Sequence, residues 1–400
     1  MALLSSGKLA NLLRLADAGG RFKMLAIDQR DSLRSALGKA AGREPADITY
    51  EDMAATKALI TEALAPYSTA TLVDPVYGLP QAVKAIPGDV AMLVAAEETG
   101  YERAGTGNRE RKSRLVQGWS IAKAKRAGAN AVKLLAYYNP DVSSEVLSFQ
   151  QRLVERVGKG CAEEDLPFLL ELVTYPSEET SGDTPEFAKK RPRHTIESAR
   201  EFSKGQYYVD ILKLEFPGDL KYSREFHLGV FDGRERAPVY SLEEIQGYCR
   251  EVDAAAQRPW VILSGGVDIR EFLTNLELAI DAGASGFLCG RAIWKDAVPR
   301  YPDLGAMRAF LTSEGAYNFV RANAVAERAR PWFAHLPFVR WEDVRVADDG
   351  QEWYQRYQER WQNAETAALT GGRFGRARGE SHRFSLTPRR GARCEVLPRC

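Results

Sequence analysis

The 400-residue sequence predicts a (β/α)₈ barrel, and three observations carry that prediction. Eight short apolar runs rich in aliphatic and β-branched residues recur along the chain, at 24–28, 70–74, 91–95, 131–138, 167–175, 209–216, 259–265 and 285–290. Longer patterns of helical periodicity, at 50–65, 114–127, 143–161, 185–203, 242–256 and 268–282, lie between most of them, as crossover helices of a parallel sheet require. Polar or charged residues sit at the C-terminal ends of most runs, where a barrel builds its site. A doubly wound sheet is the alternative, and the third observation favours the barrel. The runs are nearly continuous in hydrophobicity, which is the mark of strands covered on both faces.

The elements follow in order. Residues 1–17 place leucines at helical spacing with Lys8, Arg14 and Asp17 between them. That pattern predicts an amphipathic helix closing the bottom of the barrel rather than a signal peptide. The barrel with this helix is expected to occupy residues 1–315. Residues 316–368, rich in Trp, Tyr, Arg and Glu and interrupted by Pro331, Pro337 and the Asp348-Asp349-Gly350 turn, read as a helical extension,. Its tryptophans Trp332, Trp341, Trp353 and Trp361 are expected to be packing anchors. Residues 369–400 shift to Gly, Arg, Ser and Pro with little apolar content and read as an Arg-rich disordered tail,.

Composition narrows the function. A formal net charge of +1 gives no reason to expect nucleic acid or an acidic membrane as partner. No stretch reaches the roughly 18 uninterrupted apolar residues of a membrane span. Five scattered cysteines, Cys161, Cys249, Cys289, Cys394 and Cys400, lack metal spacing and suit a reduced, cytoplasmic protein. Only His194, His227, His335 and His382 are present, none at the end of an expected strand, so no metal and no cofactor are assigned.

The chemistry centres on Lys213, the one lysine in the apolar run 209–216, which Pro217 and Gly218 stop. An unpaired ammonium is costly in an apolar interior, so burial favours the neutral amine, and a neutral lysine condenses with carbonyls to a Schiff base. The competing reading is a structural ion pair with the nearby Asp210 or Glu215. Lys133 and Glu171 lie inside the two preceding runs. Neighbouring strands are about 4.8 Å apart, so similar heights would gather the three side chains, with Asp28 facing them from the end of the first run. Such a convergence is better explained by a site than by structure alone. The last two runs end in Leu263-Ser264-Gly265-Gly266-Val267 and Leu288-Cys289-Gly290-Arg291. Glycine there lets a phosphate approach backbone N–H groups, and Arg291 can add a bidentate donor.

Taken together, Ala26-Ile-Asp-Gln-Arg30, Asp74-Pro-Val-Tyr-Gly-Leu-Pro80, Glu98-Thr-Gly-Tyr101, Ala131-Val-Lys-Leu-Leu-Ala-Tyr-Tyr138, Phe168-Leu-Leu-Glu171, Asp210-Ile-Leu-Lys-Leu-Glu-Phe-Pro217 and the two glycine motifs, extended to Trp294, resemble the class I tagatose-1,6-bisphosphate aldolase family over about residues 20–298. The resemblance implies a Schiff-base aldolase on a (β/α)₈ barrel. In it Lys213 is the Schiff-base lysine and Glu171 the proton-transfer carboxylate. Asp28, Gln29 and Lys133 match polar residues around the substrate, and Ser264, Gly265, Gly290 and Arg291 match phosphate contacts. The implied reaction cleaves tagatose 1,6-bisphosphate to dihydroxyacetone phosphate and glyceraldehyde 3-phosphate. The chain departs from the pattern in its strongly basic loop 104–117 and in everything past about residue 311. An aldolase for 6-deoxy-6-sulfofructose 1-phosphate and a non-catalytic sugar-phosphate sensor are the rivals. The expected partner is a phosphorylated ketose, with no nucleic acid and no membrane; the sequence is compatible with a homo-oligomer.

Overall fold

Each of the eight apolar runs forms a strand: β1 (Phe22–Ile27), β2 (Ala70–Val73), β3 (Ala91–Ala95), β4 (Ala131–Tyr137), β5 (Phe168–Val173), β6 (Ile211–Leu214), β7 (Trp260–Leu263) and β8 (Gly286–Cys289). The computed structural model of the chain describes residues 3–177, 181–348 and 350–357. The strands pair in sequence order, all parallel, and β8 closes onto β1. This is the (β/α)₈ barrel the strand count predicts.

Two alternating sets of residues divide the core. Met24 and Ala26 of β1, Leu72, Leu93, Ala131, Leu169, Ile211, Val261 and Leu288 fill the interior. Their sequence neighbours, among them Leu25, Val94, Val132, Leu170, Leu212 and Phe287, pack outward against the helices. Side chains alternate faces along a strand with period two. Lys133, Glu171 and Lys213 each stand two residues beyond an interior residue (Ala131, Leu169, Ile211). They therefore point inward, above the apolar layer.

The crossover helices start where their caps dictate. Thr49 and Asp52 form a capping box for the helix Tyr50–Leu64, and Ser241 and Glu244 do the same for Leu242–Ala255. Ser143, Thr184 and Asp268 cap Ser144–Glu163, Pro185–Phe202 and Ile269–Ala282. Such caps satisfy N–H groups that the first turn leaves without a partner. The helix expected over 114–127 is confined to Ile121–Arg126, behind the cap Ser120. Its first part runs extended, because the Val116 N–H donates to the Ala96 carbonyl and Leu115 bridges Glu97. The basic loop before it is an antiparallel hairpin, Glu102–Ala104 with Glu110–Lys112. Helices Asp31–Ala41 and Leu79–Ala85 follow β1 and β2.

The N-terminal end is plugged. Helix Ser6–Leu15 buries Leu12 and Leu15 against the interior cluster. Past the last barrel helices, Ala316–Ala326 continues a helical run through Leu304–Phe310 and a π turn at Leu311–Gly315. The segment expected to be a helical extension then passes into 3-10 turns. Trp332 is buried beneath the barrel, with Phe333, Phe338 and Trp341 edge-on around it, and Arg345–Val346 pairs with Leu3–Leu4. The described residues, up to Tyr357, form one compact unit. Trp361 and the tail expected over 369–400 lie outside the described residues.

Candidate active site

At the C-terminal mouth, five strands contribute ionisable side chains that reach one another. Asp28 follows β1 and Glu97 follows β3; Lys133, Glu171 and Lys213 come from β4, β5 and β6. Glu171 and Lys213 are register partners across β5 and β6, and their side chains meet at 3.0 Å. Lys133 does not share that height: its register partner is Leu169, two residues below Glu171. Its long stem carries the ammonium up to Asp28 at 2.8 Å, Glu97 at 2.6 Å and Glu171 at 2.7 Å. The two lysines thus have unequal surroundings. Among the described residues, Lys133 has three carboxylates and Lys213 has one.

Electrostatics follows from that count. Burial pulls the Lys133 pKa down, but the charges of Asp28, Glu171 and Glu97 outweigh it and hold it well above the ordinary lysine value,. Burial pushes the Asp28 carboxyl up, and the charges of Lys133 and Lys213 overturn that and hold it well below the usual range. The same two lysines overcome burial at Glu171 and lower its pKa. Lys133 is accordingly held as a cation, and Asp28 and Glu171 are held as anions in the resting site. The alternative ion pairs of Lys213 are ruled out by geometry. Asp210 binds Lys8 at 3.0 Å at the other end of the barrel and accepts the Phe168 N–H at 2.8 Å. Glu215 accepts the Thr174 N–H at 2.7 Å and lies 3.5 Å from Arg191.

After β7 and β8 the backbone itself is the recognition surface. Gly265 and Gly266 both have positive φ, 57° and 84°, in the region that favours glycine. A side chain on Gly290 would place its Cβ 2.4 Å from the Ala26 carbonyl oxygen, so the close approach of β8 to β1 requires glycine. Lys295 donates to the carbonyls of Gly266 and Val267 at 3.1 and 3.0 Å, bracing this turn. The Arg291 guanidinium packs over Gly266, with its Cζ only 3.1 Å from where a Cβ on that glycine would sit.

These groups line a cleft with two connected lobes. One, ≈ 650 Å³ with its mouth, is bounded by Gln29, Glu171, Lys213, Ser264, Gly265, Gly290 and Arg291. The other, ≈ 960 Å³ with its mouth, is bounded by Asp28, Arg30, Glu97, Glu98 and Lys133, among others. Gln29, Leu135, Tyr137, Glu171, Lys213 and Arg291 border both. All nine site residues singled out in the sequence, Asp28, Gln29, Lys133, Glu171, Lys213, Ser264, Gly265, Gly290 and Arg291, therefore line one cleft. Sequence reasoning missed Glu97, which also accepts the Leu135 N–H at 3.0 Å, and Lys295. It also missed Lys57, buried behind Asp28, which donates to the Ile27 carbonyl at 2.6 Å and pairs with Asp74. Glu97 had a signal: it continues the inward alternation Leu93, Ala95 past the end of β3.

A closed parallel barrel with two lysines and a carboxylate between them at its C-terminal mouth belongs to the class of barrel enzymes that work on carbonyl compounds with an amine. The family model described as DeoC/LacD family aldolase matches residues 22–296. Tagatose 1,6-diphosphate aldolase 2 of Enterococcus faecalis is 38% identical over 341 residues, covering 84% of this chain and 98% of its own. Tagatose 1,6-diphosphate aldolase of Lactococcus lactis is 36% identical over 335 residues, covering 82% and 98%. A solved structure of fructose-bisphosphate aldolase from Plasmodium falciparum shares the fold, with a TM-score of 0.54 at 13% identity over 82% of this chain and 98% of that one. The chain belongs to the DeoC/LacD aldolase family: it is an enzyme, a lyase of the class I type.

Proposed function

We propose that this aldolase cleaves a ketohexose 1,6-bisphosphate, tagatose 1,6-bisphosphate by preference, to dihydroxyacetone phosphate and glyceraldehyde 3-phosphate, with Lys213 as the Schiff-base lysine. The observation that carries the assignment is the inequality of the two amines. Lys133 is enclosed by three carboxylates and is held as a cation, whereas Lys213 has one carboxylate partner and borders both lobes of the cleft. The names of the relatives at 36–38% identity support the substrate. The free, buried thiols of Cys161, Cys249 and Cys289 suit a reducing, cytoplasmic setting,.

The C1 phosphate occupies the lobe of Ser264, Gly265, Gly290 and Arg291, which places C2 beside Lys213. The amine attacks C2, and loss of water leaves an iminium. Glu171 takes the proton of the C4 hydroxyl, the C3–C4 bond breaks, and its electrons pass into the iminium to give a neutral enamine. Aldehyde departs, C3 is protonated, and hydrolysis frees the second triose and Lys213. The depressed pKa of Glu171 fits this order. It is held down by Lys133 and Lys213 together, so neutralising the nitrogen of Lys213 removes one of the two cations while Glu171 carries the proton. Its acidity falls until the iminium returns. Asp28 and Lys133 fix the position and charge of Glu171, and Gln29 borders both lobes as a donor to substrate oxygens.

The test is turnover with tagatose 1,6-bisphosphate and with 6-deoxy-6-sulfofructose 1-phosphate, reading both products. Formation of the two triose phosphates at the higher kcat/KM supports the reading. Preference for the sulfonated ketose replaces the substrate but keeps the reaction, and binding without cleavage of either sugar rejects the reaction.

A further inference from the structure

Of the residues that border both lobes of the cleft, Glu171, Lys213 and Arg291 act as charges, Gln29 as an amide, and Leu135 is apolar. Tyr137 alone offers a neutral hydroxyl there. Its height is set by register. Leu135, Glu171 and Lys213 are partners across β4, β5 and β6 and share one layer. Tyr137 pairs with Val173, one inward position nearer the mouth. The main chain of Tyr137 is engaged, its N–H on the Ser113 hydroxyl at 3.0 Å and its carbonyl held by the Gln150 amide. Its own hydroxyl has no hydrogen-bond partner among the described residues. Burial pushes the Tyr137 pKa up against the opposing charge of Arg111, so the phenol keeps its proton near neutral pH and is a donor.

The basic hairpin holds this ring from above. Arg111, in its strand Glu110–Lys112, sets its guanidinium carbon 4.3 Å from the ring centre of Tyr101, 4.6 Å from that of Tyr175 and 5.3 Å from that of Tyr137. Tyr101 and Tyr175 also stand edge-on to Tyr137, with centroids 5.0 and 6.3 Å away. The Arg111 backbone N–H donates to the Tyr175 hydroxyl at 3.0 Å. Its side chain makes neither a hydrogen bond nor an ion pair among the described residues. Cation–π contact therefore fixes the guanidinium among the three rings. Only one of those rings, Tyr137, borders the cleft.

In the reading above, Lys213 meets C2 and Glu171 meets the C4 hydroxyl, both from one layer. The next oxygen along the sugar is the C5 hydroxyl, and the next inward position toward the mouth on β4 is Tyr137. We propose that Tyr137 is a specificity-determining residue of the cleavage, its phenol donating to the C5 hydroxyl of the ketose, and that Arg111 is the positioning residue that holds its ring. A neutral donor suits a neutral alcohol, and a substrate lacking that alcohol leaves the donor unmade. The proposal rests on the aldolase reading and deepens it. The hairpin, where the sequence departs from its family pattern, then acts on the substrate through one ring rather than through its charges.

The reaction run in the direction of synthesis isolates this hydroxyl, which is the C2 hydroxyl of the aldehyde. Dihydroxyacetone phosphate is held constant, and the acceptor is glyceraldehyde 3-phosphate or 3-oxopropyl phosphate, the same aldehyde without that hydroxyl, freshly released from its acetal. Wild type, Tyr137→Phe, Arg111→Met and the double variant are compared by kcat/KM. The ratio of the two aldehydes within one variant cancels any loss of folded enzyme, and comparing ratios between variants cancels the aldehydes' intrinsic reactivity. Wild type should prefer glyceraldehyde 3-phosphate by about 10-fold. Tyr137→Phe, which keeps the ring and its stack, should lose about 5- to 10-fold with glyceraldehyde 3-phosphate and about twofold or less with the deoxy aldehyde. Arg111→Met should lower the same preference, and adding it to Tyr137→Phe should lower it no further. Equal losses with both aldehydes in Tyr137→Phe would overturn the proposal, because the phenol would then bind no C5 oxygen. A preference in Arg111→Met equal to that of wild type overturns the role of Arg111. Wild type without a preference overturns the proposal whether or not the variants fold. Wild type that joins neither aldehyde to dihydroxyacetone phosphate rejects the aldolase reading itself, and is recognised before any variant is made.

Discussion

The two ends of the barrel use the same residue types for opposite purposes. At the N-terminal end Lys8 binds Asp210 at 3.0 Å and Lys23 binds Asp17 at 2.8 Å and Glu327. Leu12, Leu15, Trp332 and Phe338 close the opening beneath the strands. Lysines there tie the terminal segments to the strands. At the C-terminal end no apolar plug is present among the described residues, the turns after two strands carry glycine, and the lysines are unequal: Lys133 is saturated, Lys213 is not. The difference teaches that a buried lysine in a strand is not itself a reactive group. The number of carboxylates around the amine, and the cavity it faces, separate a tether from a nucleophile.

The comparison breaks most severely at Lys213. Lys213→Arg should abolish turnover, a loss of at least about 10³-fold, because guanidinium cannot act as a nucleophile near neutral pH. Glu171 keeps a cationic partner, so Tm should change little. Steady-state assays and thermal melts check both halves; residual turnover within tenfold of wild type would remove Lys213 from the mechanism.

Lys133→Met comes next and should cost stability as well as rate. It strands Asp28, Glu97 and Glu171 without their shared cation, at about 3–5 kcal/mol for a broken buried pair. The pH dependence has a definite sign. In the native protein Asp28 and Glu171 titrate below their ordinary values. They therefore stabilise the fold above the unfolded pKa, and that contribution drains as pH falls through the depressed native values. In the variant only Lys213 is left to oppose burial, so both pKa values rise and that contribution shrinks. The stability gap between wild type and variant should be widest near neutrality and narrow below roughly pH 4. Denaturant titrations across pH decide this, and a constant gap would show that Lys133 does not set those charges.

Arg291→Ala should raise KM for the phosphorylated substrate and lower transition-state stabilisation by about 2–4 kcal/mol. An unchanged kcat/KM would mean that Arg291 holds no phosphate. The smallest effect on rate belongs to the other end. Lys8→Met should destabilise the fold by about 1.5–3 kcal/mol through the loss of its bond to Asp210, with kcat and KM as in wild type. A drop in kcat would mean that the two ends are coupled.

The barrel was legible because burial on both faces leaves a continuous apolar signal that survives without tertiary information. Strand ends were read too long, as in 259–265 against Trp260–Leu263, because the polar residues of the mouth follow the strand without a break. The helix Asp31–Ala41 was not read at all; it has no side-chain cap to announce it. Residues 316–368 were read as helical from composition, but within them Trp332, Phe333, Phe338 and Trp341 form a ring cluster that only the closed barrel creates. In the site, Lys133, Glu171 and Lys213 stood out as charges inside apolar runs. Glu97 did not, since it lies past its strand, and its bond to Lys133 spans 36 residues. The unequal company of the two lysines could not be read either. It depends on Lys133 sitting one inward position lower and reaching up, which is a property of register.

Reductive trapping tests that inequality most directly. Borohydride added with dihydroxyacetone phosphate reduces an iminium to a secondary amine, and the peptides are then mapped by mass. The account predicts irreversible, substrate-dependent inactivation, with one added three-carbon phosphate on the peptide that contains Lys213. A label on Lys133, or no label while the enzyme turns over, would contradict it.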